Sequence, residues 1–409
     1  MILLSAARRL LARAGLLAAA ILYGGIPALA SEGVTTSAAP PPPALGAPLP
    51  LPPGASGPLV LPPAPLAQKP RQKAAATESE AADIPHIALL LPLNSATFGQ
   101  HAEAVKNGVL AAAKVQGRTA LPLRVYSADD DPRHVAEAYR KALAAGARVV
   151  IGPLTRNGVT TIADGPVPVP TVALNVPEPG ARPPVNLYML SLHVEAEARQ
   201  LARFAYEEGR RKALTVKAET PLMRRMHQAF VEEFSRLGGA HIAEYAFTSD
   251  PAGLARLKQA AGLGVADMAF LALDFARARL ARPYLDPLAL YATSQVRPGS
   301  TGPLAGFDLA GVRFLDMPWL LQPDHPAVMV YPRSGYRDAI DLERFYALGI
   351  DAFRIAQELA SGKTDVSLDG VTGRIALGRD QQFARGLTAA QFSQGKLVTV
   401  TVESRDLSR

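Results

Sequence analysis

The stretch that decides the fold lies at residues 87–91, where the sequence reads IALLL before the turn-like PLNSATFG of residues 92–99. A run that is apolar at every position suits a parallel strand buried on both faces between layers of helices. A helical pattern follows at residues 102–115. The sequence therefore predicts a strand, a turn and a helix, the repeating unit of an α/β fold.

The same alternation recurs along the chain. Further strands are predicted at residues 123–126, 149–151, 169–174, 213–217, 242–247 and 268–273. Helices are predicted between them at residues 131–145, 195–208, 223–237 and 254–260. Strands and helices that alternate at this spacing are typical of right-handed βαβ units and doubly wound parallel sheets.

The order of units restarts near residues 186–193, which predicts two sheets and therefore two lobes. We expect an α/β module over residues 84–409, in which each lobe is a doubly wound parallel sheet flanked by helices. The first lobe is expected to hold about residues 86–190 and 321–370, and the second about residues 191–320 and 371–402. A module of this length can bury a core that needs no disulfide.

The first 30 residues have the pattern of a secretory signal peptide. A basic region ends at Arg13, an apolar run fills residues 14–23, and an Ala-Leu-Ala sequence ends at Ala30. The apolar run is shorter than the ~20 residues that a membrane-spanning helix needs. We predict cleavage after Ala30 and a periplasmic protein that can associate with the outer membrane through partners; a retained membrane anchor is the alternative.

Residues 31–83 are dominated by Pro, Ala, Gly, Ser and Leu, with four consecutive prolines at residues 40–43. Proline fixes φ and lacks a backbone N–H, so neither a helix nor a sheet ladder continues through such a segment. The composition predicts a disordered Pro-rich linker, and a ligand for an aromatic-lined groove of a partner is the alternative interpretation.

Composition also excludes several classes of function. Without the three arginines of residues 1–30, the chain has 40 basic and 36 acidic residues, a net charge of only +4. Nucleic-acid-binding proteins cluster Lys and Arg on one face, so no nucleic-acid partner is predicted. Cysteine is absent from these 409 residues, which excludes disulfides, thiol nucleophiles and a lipidated cysteine within them.

Several motifs occur in a fixed order along the chain. They read IALLLPL at residues 87–93, VYSADDD at 125–131, VVIGPL at 149–154, VALN at 172–175, YATSQ at 291–295, GVRF at 311–314, MPW at 317–319, RFYALGIDAF at 344–353 and DGVTG at 369–373. With these motifs the chain resembles the type I periplasmic binding protein superfamily and, within it, the LppC-type penicillin-binding protein activator family. The resemblance covers about residues 86–402 and implies a module that docks on a bifunctional peptidoglycan synthase and stimulates it.

Binding proteins of this superfamily hold their ligand between the lobes, at the carboxyl ends of the strands. The corresponding candidate residues are Asn94, Ser95, Thr155, Arg156, Asn175, Thr293 and Ser294. Arg156 would obstruct the amino group of an amino-acid ligand, yet it can form a bidentate pair with an acidic one. We interpret Arg156 as paired within the protein and the other first-lobe candidates as caps of helices and turns, with ligand contact as the alternative.

No catalytic, cofactor or metal site is predicted. The seven histidines lack the spacing of a helical metal motif, and the module has no Gly-x-Ser-x-Gly sequence. His193 and His227 are interpreted as surface or lobe-boundary residues. Asp131, followed by proline, fits a helix N-cap better than a hard-cation site, and Trp319 is interpreted as a hinge-packing residue, with an anchor for a partner as the alternative.

The resemblance implies a non-enzymatic periplasmic regulator of peptidoglycan synthesis that binds and activates a penicillin-binding protein, and this is the function we predict. The alternative is a periplasmic solute-binding protein for a small polar or acidic ligand, such as an amino-acid-like molecule or a peptidoglycan fragment. Neither function requires a cofactor.

Overall fold

A computed structural model describes residues 84–117, 121–180, 183–297, 299, 305–336 and 339–400. The predicted signal peptide with its cleavage site after Ala30, and the predicted Pro-rich linker, lie outside the described residues. Among the helices of the described residues, none combines the length and apolar character that crossing a membrane requires.

The strands of the described residues form three sheets. The first lobe has a parallel sheet of order β2-β1-β3-β4-β5, made of β1 His86–Leu91, β2 Leu123–Ser127, β3 Ala147–Ile151, β4 Thr171–Ala173 and β5 Leu187–Met189. The second lobe is built on β6 Lys212–Lys217, β7 Ala240–Ala246, β8 Met268–Ala272, β9 Ala289–Ala292 and β10 Arg313–Asp316. A small third sheet consists of β11 Ser367–Gly370, β12 Gly373–Leu377 and β13 Phe383–Gly386. Two further strands, β14 Thr388–Ser393 and β15 Lys396–Thr399, extend the second-lobe sheet. Its strand order is β15-β14-β10-β9-β8-β6-β7.

Helices cover these sheets. They are α1 Gly99–Gln116, α2 Pro132–Ala144, α3 Arg156–Ala163, α4 Val194–Glu207, α5 Pro221–Arg236, α6 Pro251–Gly262, α7 Phe275–Ala281, α8 Ala305–Asp308, α9 Pro318–Leu321, α10 Pro326–Met329 and α11 Ile340–Ala360. Every residue of β1 is buried, as its unbroken apolar run predicts. The N-cap prediction at Asp131 is confirmed, because its carboxylate accepts a hydrogen bond from the backbone N–H of Arg133 at 2.9 Å and Pro132 opens α2.

The motif at residues 344–353 is explained in part by how closely α11 packs on α1. A Cβ atom on Gly349 would lie 2.1 Å from the carbonyl oxygen of Val105, and one on Gly108 would lie 1.9 Å from that of Tyr346. Real Cβ atoms do not approach a backbone oxygen this closely, so any side chain at either position would push the helices apart. The two glycines therefore set the distance between α1 and α11.

Asp351, in the same motif, fastens α11 to the turn between β11 and β12. Its buried carboxylate accepts hydrogen bonds from the backbone N–H groups of Val371 at 3.1 Å and Thr372 at 2.7 Å, and from the Thr372 hydroxyl at 2.7 Å. Burial raises the pKa of Asp351 above its usual value, and these donors oppose that rise. The motifs at residues 344–353 and 369–373 therefore contact each other in the folded protein through these hydrogen bonds.

The division between the lobes differs from the expected one at residues 371–402. Val371, Ile375 and Phe383 lie in the first-lobe core, and Met189 at the end of β5 bridges to Gln382. Only β14 and β15 join the second-lobe sheet, where β14 pairs antiparallel with β10. The apolar face of the β11–β13 sheet packs against the first-lobe core. Residues 371–402 are therefore divided between the two lobes.

Trp319 lies just after β10, where the chain returns to the first lobe. It is buried in the first-lobe core, and its Nε1 donates a hydrogen bond to a carboxylate oxygen of Glu343 at 2.7 Å. Its ring packs against Tyr346 with centroids 5.4 Å apart. Because the indole is inside the protein and its N–H is satisfied there, Trp319 is a packing residue at this crossover.

Candidate functional site at the junction of the lobes

Two of the first-lobe candidates cap helical turns in the structure. Ser95 is buried, donates a hydrogen bond to Asp130 at 2.6 Å, and accepts one from the backbone N–H of Phe98 at 2.8 Å. The Thr155 hydroxyl accepts from the backbone N–H of Gly158 at 3.2 Å and so caps α3. Both hydroxyl groups therefore serve the local fold.

The two asparagine candidates lie in the turns after β1 and β4. Asn175 donates from its amide to the carbonyl oxygen of Leu154 at 3.1 Å, and its Oδ1 accepts from the N–H of Val176 at 3.0 Å. Asn94 is exposed, and its backbone N–H donates to the carbonyl oxygen of Ala128 at 3.1 Å. These contacts hold neighbouring loops together at the carboxyl edge of the first-lobe sheet.

Arg156 begins α3 with a side chain that is 28% exposed, and its nearest carboxylate in an ion pair is that of Glu178 at 3.9 Å. Its positive charge lies close enough to His193, the residue just before α4, to lower the pKa of that imidazole. The pKa of His193 is lowered chiefly by burial, Glu195 opposes the shift, and the charges of Arg156, Arg385 and Arg225 add to it. Cationic groups thus gather around His193.

Replacing Arg156 by alanine is expected to change the free energy of unfolding by less than about 1 kcal/mol, because a partly exposed pair at this distance contributes little. Thermal melts of the wild type and Arg156→Ala measure the effect. A melting temperature lowered by many degrees would instead support the interpretation that Arg156 is paired structurally within the protein.

The second-lobe candidates lie after β9 and are buried. Thr293 donates its hydroxyl hydrogen to Met226 Sδ at 3.2 Å. Ser294 donates twice to the carboxylate of Glu197 in the first turn of α4: its backbone N–H bonds Oε1 and its hydroxyl bonds Oε2 at 3.0 Å. Burial is the main reason that the pKa of Glu197 is raised to about 7.

A buried arginine of the first lobe reaches this region from α11. Arg344 donates to Asp316 Oδ2, at the end of β10, at 3.0 Å and to the carbonyl oxygen of Ser294 at 3.1 Å. It also bonds Asp341 at 2.8 Å, one turn earlier on α11. Burial alone would lower the pKa of Arg344, but the charge and hydrogen bond of Asp316 outweigh it and the pKa is raised.

We call Glu197, Ser294, Asp316 and Arg344 the junction cluster. It joins the first-lobe helix α11 to the carboxyl ends of β9 and β10 in the second lobe. A cavity of about 140 Å³ remains beside it. Its lining includes Leu192, Val194, Gln295, Met317, Phe345 and Arg385.

Among the described residues, Ser294 is the one sequence candidate that lines this cavity. The pattern of residues did not single out Glu197, Asp316 or Arg344 as site residues. The sequence signal that could have found the cluster is Arg344, the first residue of the motif at residues 344–353, which bonds across to Asp316 of the second lobe.

The chain matches the model of the family described as "LppC putative lipoprotein" over residues 69–265 and 266–395. Among curated relatives, the penicillin-binding protein activator LpoA of Pantoea ananatis is 28% identical over 327 residues, which cover 68% of this chain and 47% of the relative. LpoA of Escherichia coli K12 is 23% identical over 325 residues, with 68% and 47% covered. The chain thus spans about half the length of the curated relatives it matches.

Solved structures show the same architecture. A Chromobacterium violaceum protein described as a "putative branched-chain amino acid ABC transporter" is 43% identical, covers 76% of this chain and all of its own, and has a TM-score of 0.66. The C-domain of LpoA from Haemophilus influenzae, described as a regulator of PBP1A, is 22% identical, covers 77% of this chain and all of its own, and has a TM-score of 0.66.

These likenesses confirm the predicted α/β fold of the type I periplasmic binding protein class, with parallel sheets flanked by helices. The family model extends over most of the chain and includes the residues of the junction cluster. The chain therefore belongs to the LppC family.

Proposed function

We propose that this protein is a non-enzymatic regulator of peptidoglycan synthesis that acts in the periplasm by binding and activating a penicillin-binding protein. Membership of the LppC family and the activator names of its curated relatives support the proposal. Secretion with cleavage after Ala30 remains a prediction on which this location depends.

One observation carries the choice of a regulator over a solute carrier: the junction cluster occupies the place where this fold binds ligands. Solute ligands of such folds bind at the carboxyl ends of the strands, between the lobes. Here Ser294 and Asp316 follow or end β9 and β10, and their polar groups are bonded to Glu197 and Arg344. The backbone N–H and the hydroxyl of Ser294, two donors that could recognise a solute, are already used by Glu197.

The remaining space is also small. Pockets for small molecules are roughly 300–1,000 Å³ in volume, whereas the cavity beside the junction cluster is about 140 Å³. A module whose lobes are joined by the buried Arg344–Asp316 ion pair presents a fixed outer surface, which suits recognition of another protein.

The test uses the mature full chain and the bifunctional penicillin-binding proteins of the same cell. We expect one of these synthases to bind the immobilised protein saturably and to polymerise or crosslink peptidoglycan several-fold faster in its presence. An unrelated two-lobed binding protein serves as the control. Absence of both binding and stimulation with every such synthase would contradict the proposal.

The cations around His193 favour a second candidate, a solute-binding protein for a small acidic ligand. Arg156, Arg225 and Arg385 all lower the pKa of that histidine. The similar Chromobacterium violaceum structure, described as a "putative branched-chain amino acid ABC transporter", supports a solute carrier in general and not an acidic ligand in particular. Calorimetric titration with acidic peptidoglycan peptides separates the candidates. Saturable binding that disappears in a stable Arg156→Ala variant, with a melting temperature that rises with peptide in the wild type only, would favour the solute binder.

A further inference from the structure

Two histidines and a glutamate from a helix and a neighbouring strand meet on the second lobe. His227 projects from α5, while His241 and Glu244 belong to β7, the edge strand next to β6. None of the three belongs to the junction cluster. They form the one group of potential metal ligands found among the described residues.

A β-bulge brings the two β7 residues to the same face. Residues three apart in a regular strand point to opposite faces of the sheet. In β7, however, the pairing register shifts by one residue. Ala213 of β6 pairs with His241, but the next residue of β6, Leu214, pairs with Ala243. The extra residue, Ile242, turns His241 and Glu244 toward the same side, where α5 supplies His227.

The ligand atoms converge within metal-binding distance. One nitrogen from each histidine and one oxygen of Glu244 all lie within 4.8 Å of one another, and His227 Nε2 is 3.4 Å from Glu244 Oε2. Zinc bonds these atoms at about 2.0–2.1 Å in a tetrahedron, which places ligand atoms roughly 3.3 Å apart. The observed separation between His227 and Glu244 already matches an edge of that tetrahedron.

The Nε2 atoms of both imidazoles point toward the side chain of Thr215, on β6. Its Oγ1 lies 2.8 Å from His227 Nε2 and 2.9 Å from His241 Nε2. A hydroxyl carries one hydrogen. Thr215 therefore either donates to one imidazole and accepts from the other, or donates to the carbonyl oxygen of Ala243 at 3.5 Å and accepts from both. A metal ion would take the lone pairs of both nitrogens and replace this shared hydrogen bond.

The surrounding charges suit a cation. Lys217 Nζ lies 2.7 Å from Glu244 Oε1, which leaves Oε2 facing His227, and Glu219 is 3.9 Å from the same lysine. The carboxylates of Glu244 and Glu219 therefore outnumber the single ammonium group of Lys217.

We propose that His227, His241 and Glu244 bind a divalent ion of the zinc class, with solvent or a partner's side chain as the fourth ligand. Two imidazoles and one carboxylate are donors that zinc prefers, whereas Mg²⁺ and Ca²⁺ prefer oxygen alone. The Glu244 side chain is 41% exposed, which leaves an open side to the site. The ion would fasten α5 to the edge strand β7.

The test is a titration of untagged, chelator-treated full-length protein with ZnCl₂, followed by calorimetry. We expect saturable binding of one Zn²⁺ per chain. Loss of an outer-shell partner of a ligand weakens metal affinity about 10–100-fold, so loss of a ligand itself, in His241→Gln or in Glu244→Gln, should weaken it by at least about that factor. The matched control is His134→Gln, which removes an exposed histidine 2.8 Å from Asp129 in the first lobe and should leave the affinity unchanged. Excess Mg²⁺ or Ca²⁺ should not displace the zinc.

His241 and Glu244 are chosen because His227 is buried and its replacement endangers folding. Glu244 lies at the surface, so Glu244→Gln keeps the test valid even if His241→Gln fails to fold. The proposal is overturned if the wild type takes up no zinc saturably, if Glu244→Gln binds as tightly as the wild type, or if His134→Gln weakens binding equally.

Discussion

Arg344→Met is expected to lower the free energy of unfolding by about 3–5 kcal/mol, because it breaks a buried ion pair from one side. The methionine keeps most of the aliphatic stem but removes the donors to Asp316 and to the Ser294 carbonyl. Asp316 would then be left buried with Arg297, whose nearest nitrogen is 3.5 Å away, as its remaining ion-pair partner. Urea denaturation of both proteins measures the loss.

Arg236→Met is the matched control for this substitution. Arg236 also bonds a carboxylate three residues earlier on its helix, that of Glu233 at 2.8 Å, but its side chain is 65% exposed. Glu233 is itself buried, but it keeps its ion pair with Arg203 at 2.6 Å, so replacing Arg236 should cost clearly less than replacing Arg344. If Arg344→Met is equally mild, the junction cluster does not hold the lobes together; if the prediction is right, adding Asp316→Leu should restore much of the lost stability.

The sequence predicted the two α/β lobes because parallel strands leave a strong local signal. The IALLL run of residues 87–91 is buried along its whole length, as β1, and helices follow the strands where the alternation predicts them. The β11–β13 sheet was assigned partly to the wrong lobe, because the sequence of a short antiparallel strand does not show which part of the protein packs against it. Their place depends on Val371, Ile375 and Phe383 meeting the first-lobe core.

The junction cluster was harder to foresee for a different reason. Charged side chains such as Glu197 and Asp316 are read as surface residues in a sequence, since burial costs them free energy unless a partner is present. Their partners come from distant elements, and only the folded chain shows that Ser294 and Arg344 satisfy them. The resemblance pointed to the carboxyl ends of the strands, and two of the candidates there, Ser95 and Thr155, cap local turns in the structure.

The histidine and glutamate group was missed because its geometry depends on a bulge. A search for two histidines on one helix face cannot find ligands from α5 and β7, and regular alternation places His241 and Glu244 on opposite faces. The register shift opposite Ala213 and Leu214 reverses that relation. A single inserted residue in an edge strand thus creates a potential site that no spacing rule reveals.

Lowering the pH from about 7 toward 5 is expected to stabilise the protein through Glu197. Burial raises the pKa of its carboxyl group from 4.5 to about 7 in the folded state. Between these two values the folded protein binds a proton that the unfolded chain does not, so stability falls as the pH rises through this window. With about 1.4 kcal/mol for each pH unit, the full effect of the shift is on the order of 3 kcal/mol.

The measurement compares unfolding free energies of the wild type and Glu197→Gln from pH 4.5 to 7.5. Glutamine keeps the shape and cannot ionise, so the wild type should lose stability relative to Glu197→Gln as the pH rises. Glu232→Gln, which removes an exposed carboxylate on α5, controls for the change in net charge. If the wild type instead gains stability relative to Glu197→Gln with rising pH, then Glu197 is ionised in the folded protein and the donors of Ser294 and the charge of Arg344 outweigh its burial.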